Sequence, residues 1–149
     1  ADVPACIYST PLKIRGIGDK IFMLPIQLKM ILSRYNYIVL INPNISLSTK
    51  FVFNRWKNSL PLTRVNNKNN FYPKIGINNL KPAAENIESS IIFIQEILSS
   101  QPGIEFYGMS GSGATCYGIF KNKNLAIKAK NYIKKIRPKW WIDYSSIKN

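Results

Sequence analysis

The sequence predicts an α+β architecture, an antiparallel sheet with helices packed on one side, preceded by a short β-hairpin region. Three observations carry this. Short apolar runs alternate with longer stretches in which apolar residues recur every three or four positions. Within the stretch Gly108 to Phe120 a tight Gly/Ser turn separates two of the short runs, Ile104 to Met109 and Ala114 to Phe120. From Tyr37 onward the order reads strand, helix, long helix, hairpin, helix, strand. A chain of 149 residues fits one domain, 1–149, and can bury a real core.

Cys6 to Tyr8 and Leu12 to Arg15 read as short strands around Ser9-Thr10-Pro11. Ile21 to Leu24 pairs with the second across the turn Gly16-Ile17-Gly18-Asp19. Tyr37 to Ile41 is a continuous β-branched run ending at Asn42-Pro43, as in a strand buried on both faces. Ser48 or Thr49 can cap a helix whose apolar face holds Phe51, Val52 and Trp56. From Lys57 to Asn79 the Asn pairs, lysines and prolines break any period, which predicts a long loop.

Helical spacing resumes at Pro82, with Ile87, Ile91, Ile94 and Leu98 on one stripe and Pro102-Gly103 beyond the end. After the glycine hairpin, Leu125, Ala129, Tyr132 and Ile136 mark a last helix with lysines outside, stopped before Pro138. Lys139 to Tyr144 closes as an edge strand, and Trp140 and Trp141 are assigned to packing. This element order gives the sheet a ferredoxin-like character.

Composition excludes several classes. There is no run of 18 apolar residues, so no membrane-spanning helix is expected, and no charged-then-apolar secretory leader opens the chain. Cys6 and Cys116 make no disulfide scaffold and, with no His, no credible zinc site. Both read as small hydrophobes in a reducing compartment, which points to the cytoplasm. The net charge of +14 invites a nucleic-acid reading, but the cations are spread and only Lys121 to Lys139 is dense.

The turn itself narrows the chemistry. Gly111 and Gly113 allow positive φ, while Ser110, Ser112 and Thr115 add hydroxyls to a row of amide donors, a combination that can meet an anion. Gly111 to Cys116 lacks the third glycine of a dinucleotide fingerprint, and no G-K-[ST] follows. Neither Ser110 nor Ser112 is flanked as in a nucleophile elbow, and the absence of His removes a Ser-His hydrolase.

What the stretch MSGSGATC with its following aromatic resembles is the third motif of the GHMP small-molecule kinases, in the form typical of the 4-diphosphocytidyl-2-C-methyl-D-erythritol kinases. Ala1-Asp2-Val3-Pro4 looks like that family's A-D-V-P, and Gly16-Ile17-Gly18-Asp19 like its G-x-G-[DE] turn. Asn42-Pro43 with Ser48-Thr49 and Phe53 resembles N-P…S-T-x-x-x-F. Asn78-Asn79-Leu80 with Ala83-Ala84 resembles N-D-L-x-x-A-A, and Trp140-Trp141 the terminal W-W. The likeness runs along nearly the whole chain but matches only the C-terminal half of such a kinase.

The resemblance implies a GHMP C-terminal domain, with residues 1–25 forming strands that belong to an N-terminal domain. It implies Asp2 as catalytic base, and Thr49 and Phe53 as residues binding a cytidyl-diphosphate small molecule. Ser110, Gly111, Ser112, Gly113 and Ala114 would support a phosphate loop. ATP and Mg²⁺ would be co-substrates of the full enzyme, not bound strongly by this chain alone. No metal ligand, specific nucleic acid or membrane partner is implied, and a separate N-terminal half is a candidate partner.

Two departures stand out. Asn79 replaces the usual Asp, weakening a helix-dipole interaction by about 0.3–1 kcal/mol. Nothing in the sequence resembles the family's nucleotide loop or catalytic lysine, so the isolated chain is expected to be inactive. The alternatives are a non-enzymatic relic or split-gene product, and a basic RNA-binding α+β module.

Diffuse charge predicts only weak, sequence-blind RNA binding. A titration with several single-stranded RNAs should give Kd values of about 10⁻⁴ to 10⁻⁶ M that weaken steeply with salt. Tight, selective binding that survives high salt would favour the RNA module.

Overall fold

A computed structural model describes residues 3–8, 10–15, 19–59 and 78–147. In chain order they form α1 (Val3–Tyr8), β1 (Leu12–Arg15), β2 (Lys20–Met23), α2 (Ile26–Leu32), β3 (Tyr37–Asn42) and α3 (Thr49–Ser59). After residues 60–77 come α4 (Lys81–Ile87), α5 (Ser90–Ser99), β4 (Ile104–Met109), β5 (Cys116–Phe120), α6 (Lys123–Ile136) and β6 (Trp141–Ser146). β1 and β2 make a two-stranded antiparallel sheet, and the other four strands make a second sheet in the order β4-β5-β3-β6. Every pairing in it is antiparallel. β3 leads through helices to β4 and β5 leads through α6 to β6, each time skipping one strand, which is the split βαβ arrangement of a ferredoxin-like fold.

The core lies between this sheet and its helices. Register places Val39 opposite Gly118 and Tyr144, and Ile41 opposite Cys116 and Ile142. Alternation then sends Val39, Ile41, Cys116, Phe120 and Ile142 to one face, where they bury against Val52, Ile91, Ile94, Leu98 and Ile133. Small residues let the helices approach: Ala83 and Ala84 of α4 and Ala126 and Ala129 of α6 are all buried. α6 starts where the Asn122 side chain accepts from the amides of Asn124 and Leu125, and ends ahead of Pro138.

Several sequence expectations are corrected. Cys6 to Tyr8 is helical, not a strand; a three-residue apolar run carries no period, and Pro4 falls in the first turn, where its missing N–H costs nothing. β3 alternates instead of burying both faces, since Tyr37, Ile38 and Leu40 are only half-buried. Phe51, 69% exposed, points away from the core and leaves Val52 and Trp56 as the inner face of α3. α3 also continues through Lys57, Asn58 and Ser59, while residues 60–77 of the expected loop lie outside the described residues.

The expected long helix is two. Glu88 adopts an extended backbone, and its carboxylate accepts from the Ser90 amide at 3.0 Å, starting α5 afresh. Ile87 is exposed as a result. In α6 the inner stripe is Ala126, Ala129 and Ile133, so Tyr132 and Ile136 face outward. Trp140 packs against the core as expected, but Trp141, on the edge strand β6, is 45% exposed.

From Cys6 to Ile38 no residue whose burial is described is buried, and Ile7, Tyr8, Phe22, Met23, Ile26, Met30 and Ile31 are exposed. Among the described residues no helix is long and apolar enough to cross a membrane.

Gly118, on β5, lies beneath Leu98 of α5. A Cβ there would meet Leu98 Cδ2 at 2.8 Å and Ile104 Cδ1 at 2.9 Å. Gly118→Ala should therefore cost about 1–3 kcal/mol, read as a lower urea midpoint with unchanged slope. An unaltered midpoint would mean that α5 does not press on the sheet at this point.

Candidate functional site

The turn between β4 and β5 is fixed from within and from both sides. Within it, the Ser110 amide donates to the Thr115 carbonyl and the Gly113 amide to the Ser110 carbonyl, both at 2.9 Å. Gly111 and Gly113 have φ of +54° and +87°, as the sequence led one to expect. The two glycines differ in what surrounds them. A Cβ on Gly113 would press on Met109 Sδ at 2.9 Å, with Leu47 and Ile91 close behind, whereas one on Gly111 would meet nothing within 4 Å.

From the α4 side, Asn78 Nδ2 donates to the carbonyls of Met109 at 2.9 Å and Gly111 at 2.7 Å. Its Oδ1 accepts from the Leu80 amide at 2.9 Å, which ties the same side chain to the entry of α4. From the β3 side, Asn42 Nδ2 donates to Thr115 Oγ1 at 2.9 Å. Asn42 Oδ1 accepts from the Asn44 amide, and Asn44, itself at φ +61°, donates from Nδ2 to the Lys139 carbonyl.

The turn also touches α3. Thr49 Oγ1 and Ser112 Oγ are 2.9 Å apart, joining residues 63 positions distant. α3 begins at Thr49 because Val52 is the first residue whose amide reaches back, to the Ser48 carbonyl at 3.1 Å. The amides of Thr49, Lys50 and Phe51 are thus the open donors of a helix start with no acidic residue in its first turn. The amides of Gly111 and Ser112 likewise have no hydrogen bond among the described residues. Two donor-rich elements meet at the Thr49–Ser112 contact, and together they favour an anionic oxygen.

One turn along α3, Phe53 is 41% exposed and makes an edge contact with Trp56, ring centroids 6.3 Å apart and planes at 86°. Part of its ring is therefore left to solvent. Asp2 lies outside the described residues. Of the residues singled out in the sequence, Thr49 and the stretch Ser110 to Ala114 come together, and Phe53 follows on the same helix as Thr49. The clamping roles of Asn42, Asn44 and Asn78 were not read from the sequence. The available signals were the N-x-N spacing at the end of β3 and an Asn three residues before a helix start, both habits of side chains that close local turns.

Under the turn, Cys116 is buried. Burial above all, with nearby Glu85 adding to it and Lys81 partly offsetting it, pushes its thiol up to about 12. Glu85 is held by Lys81 at 3.6 Å and by Gln95 Nε2 at 3.1 Å. Cys116 is therefore a neutral filler and not a nucleophile. Among the described residues no three His, Cys, Asp or Glu gather as a metal cage.

Over residues 59–138 the chain matches the family described as GHMP kinases C terminal. It is 34% identical over 149 residues to 4-diphosphocytidyl-2-C-methyl-D-erythritol kinase of Mesorhizobium japonicum and 38% identical over 149 residues to that of Rhizobium etli. Each alignment covers 95% of this chain and 48% of the relative. The chain thus spans about half the length of the curated relatives it matches. The fold resembles the crystal structure of a 4-(cytidine 5′-diphospho)-2C-methyl-D-erythritol kinase, with a TM-score of 0.67 and 19% identity over 97% of this chain and 53% of that one. It also resembles homoserine kinase from Cytophaga hutchinsonii, with a TM-score of 0.67 and 15% identity over 98% of this chain and 50% of that one.

The buried thiol gives a chemical test of the packing beneath the turn. At pH 8 a native chain should be alkylated by iodoacetamide at exposed Cys6, while Cys116 reacts about a thousandfold more slowly than an ordinary thiol and becomes reactive only in denaturant. Peptide mass mapping reads both sites. Equal labelling of the two in the native chain would contradict the packing under the turn.

Proposed function

The chain belongs to the GHMP kinases through their C-terminal domain, and from this we propose that it is the C-terminal half of a 4-diphosphocytidyl-2-C-methyl-D-erythritol kinase. The full enzyme would transfer the γ-phosphoryl group of ATP to the 2-hydroxyl of its cytidyl-diphosphate substrate in isoprenoid precursor synthesis, in the cytoplasm. The observation that carries the reading is the contact between Thr49 and Ser112, because it joins the segment matching the family's substrate residues to the segment matching its glycine motif.

Phosphoryl transfer is mostly positioning and electrostatic stabilisation, with a base near the attacking hydroxyl. In this reading ATP brings the phosphoryl group and the protein holds the two reactants in register. Phe53 offers its open face to the cytosine, a stack worth about 1–3 kcal/mol. Thr49 contributes a hydroxyl beside it, and Ser110 to Ala114 buttress the phosphate-bearing loop of the other half. Asp2 accepts the proton of the 2-hydroxyl. The described residues form no Mg²⁺ cage, so the ion would be held largely through the nucleotide phosphates and the other half.

Residues 1–25 belong, on this account, to the N-terminal domain. The exposure of Ile7, Tyr8, Phe22 and Met23, together with the absence of a buried residue among those from Cys6 to Ile38 whose burial is described, supports that assignment: these side chains lack the core that the other half would supply. Without that half, the chain should show no substrate-dependent turnover of ATP.

Calorimetric titration of the chain with cytidine 5′-diphosphate tests the substrate residues. Phe53→Ala should weaken binding by about 5- to 150-fold, the factor that corresponds to a lost base stack, without lowering thermal stability appreciably. Wild-type-like affinity in the variant, or no binding by the wild-type chain at millimolar nucleotide, would remove Phe53 and Thr49 from the substrate site.

A further inference from the structure

Among the described residues, Asn78 is the one side chain that bonds both two carbonyls of the glycine turn and the N-cap residue of a helix, Leu80. The Gly111 carbonyl and the Ser112 amide belong to a single peptide plane, and in a trans peptide the C=O and the N–H point in opposite directions. Fixing the Gly111 carbonyl on Asn78 at 2.7 Å therefore turns the Ser112 N–H away from Asn78. In the same way the Met109 carbonyl, held at 2.9 Å, fixes the plane of the Ser110 amide, which donates across the turn to Thr115. Gly111, at φ +54°, has open space where a side chain would stand, so apart from the Gly113-to-Ser110 turn bond and the Ser112 hydroxyl contact with Thr49, Asn78 holds the orientation of its peptide.

We propose that Asn78 is a positioning residue that orients the Ser112 amide toward an anionic phosphate oxygen. The proposal rests on the functional reading above and adds to it a residue that touches neither the base nor the sugar. A carboxamide suits the task for a chemical reason: one side chain must donate twice to carbonyls and accept once from an amide, and only Asn does so at this length. Aspartate keeps the acceptor for Leu80 but presents lone pairs to both carbonyls. Alanine loses all three bonds. No charge is introduced by Asn78, so the electropositive character of the turn and of the α3 start is left intact.

The test compares Asn78→Asp, Asn78→Ala and the stability control Gly118→Ala, each titrated with cytidine 5′-diphosphate and with inorganic pyrophosphate, alongside ¹H–¹⁵N spectra. Asn78→Asp should move the Gly111 and Ser112 cross-peaks while leaving those of Val39, Ile41 and Phe120 in place. It should raise Kd for both ligands about tenfold or more, the loss expected when a hydrogen bond to a charged group is misaligned. Asn78→Ala should match it in affinity while being less stable, and Gly118→Ala should lose stability without losing affinity. Phe53→Ala, by contrast, should weaken the nucleotide and spare pyrophosphate.

Unmoved Gly111 and Ser112 cross-peaks in Asn78→Asp would overturn the proposal, as would affinities that simply track stability across the set. A wild-type chain that binds neither ligand would overturn both the functional reading and the phosphate-directed role. Shifted cross-peaks with weakened pyrophosphate binding, but an unaffected Phe53→Ala variant, would support the clamp while removing the base-stacking part of the function.

Discussion

The pairing of β3 with β5 is the constraint on which the rest depends. With Ile41 opposite Cys116, the next positions along the two chains are Asn42 and Thr115, and their side chains meet at 2.9 Å. The register that buries Val39, Ile41, Cys116 and Phe120 on one face is thus the same register that ties the glycine turn to the end of β3. A slip by one residue would send the buried set to the open face and break the Asn42 bond together with the core. Hydrophobic burial, the non-directional force, sets the register, and the polar clamp at its end inherits the precision.

The turn gains its electrostatic character without charged side chains. Its donors are backbone amides, its fixers are asparagines, and the adjoining α3 start adds open amides of its own. Such a cradle keeps its geometry at any physiological pH, because none of its members titrates there. It also explains the division between the two glycines. Gly113 is required by Met109, Leu47 and Ile91 packing beneath it, while Gly111 is required only by its backbone angle and faces open space, where a ligand or another domain can approach.

Much of this was legible in the sequence, and the failures have physical causes. The strands from Tyr37 onward and the glycine hairpin were visible because short apolar runs bounded by turn residues have few other uses. Helix faces were read less well. In α6 the stripe read from the sequence shared Ala129 with the true inner face but ran on through Tyr132 and Ile136, while the inner face continues through Ala126 and Ile133; a search for large apolar residues passes over Ala126 because it is small. The break at Glu88 was invisible because the apolar stripe of α5 continues in phase on one side of it and the carboxylate that restarts the helix is an ordinary residue by composition. At the candidate site the motif residues Thr49, Phe53 and Ser110 to Ala114 were named in advance; local turn signals mark Asn42 and Asn78 as turn-closing residues, but that they and Asn44 clamp distant carbonyls and a hydroxyl depends on tertiary proximity that those signals do not report.

The central claim is that this chain carries half of a kinase site and needs a second half to act. Its most direct test mixes the purified chain with a separately produced N-terminal half of the Rhizobium etli relative and follows ADP release from ATP in the presence of 4-diphosphocytidyl-2-C-methyl-D-erythritol. The account predicts substrate-dependent release only when both halves are present, and its loss when Asp2 is replaced by Asn. Turnover by the chain alone, or no turnover from a mixture shown to form a stable complex, would contradict it.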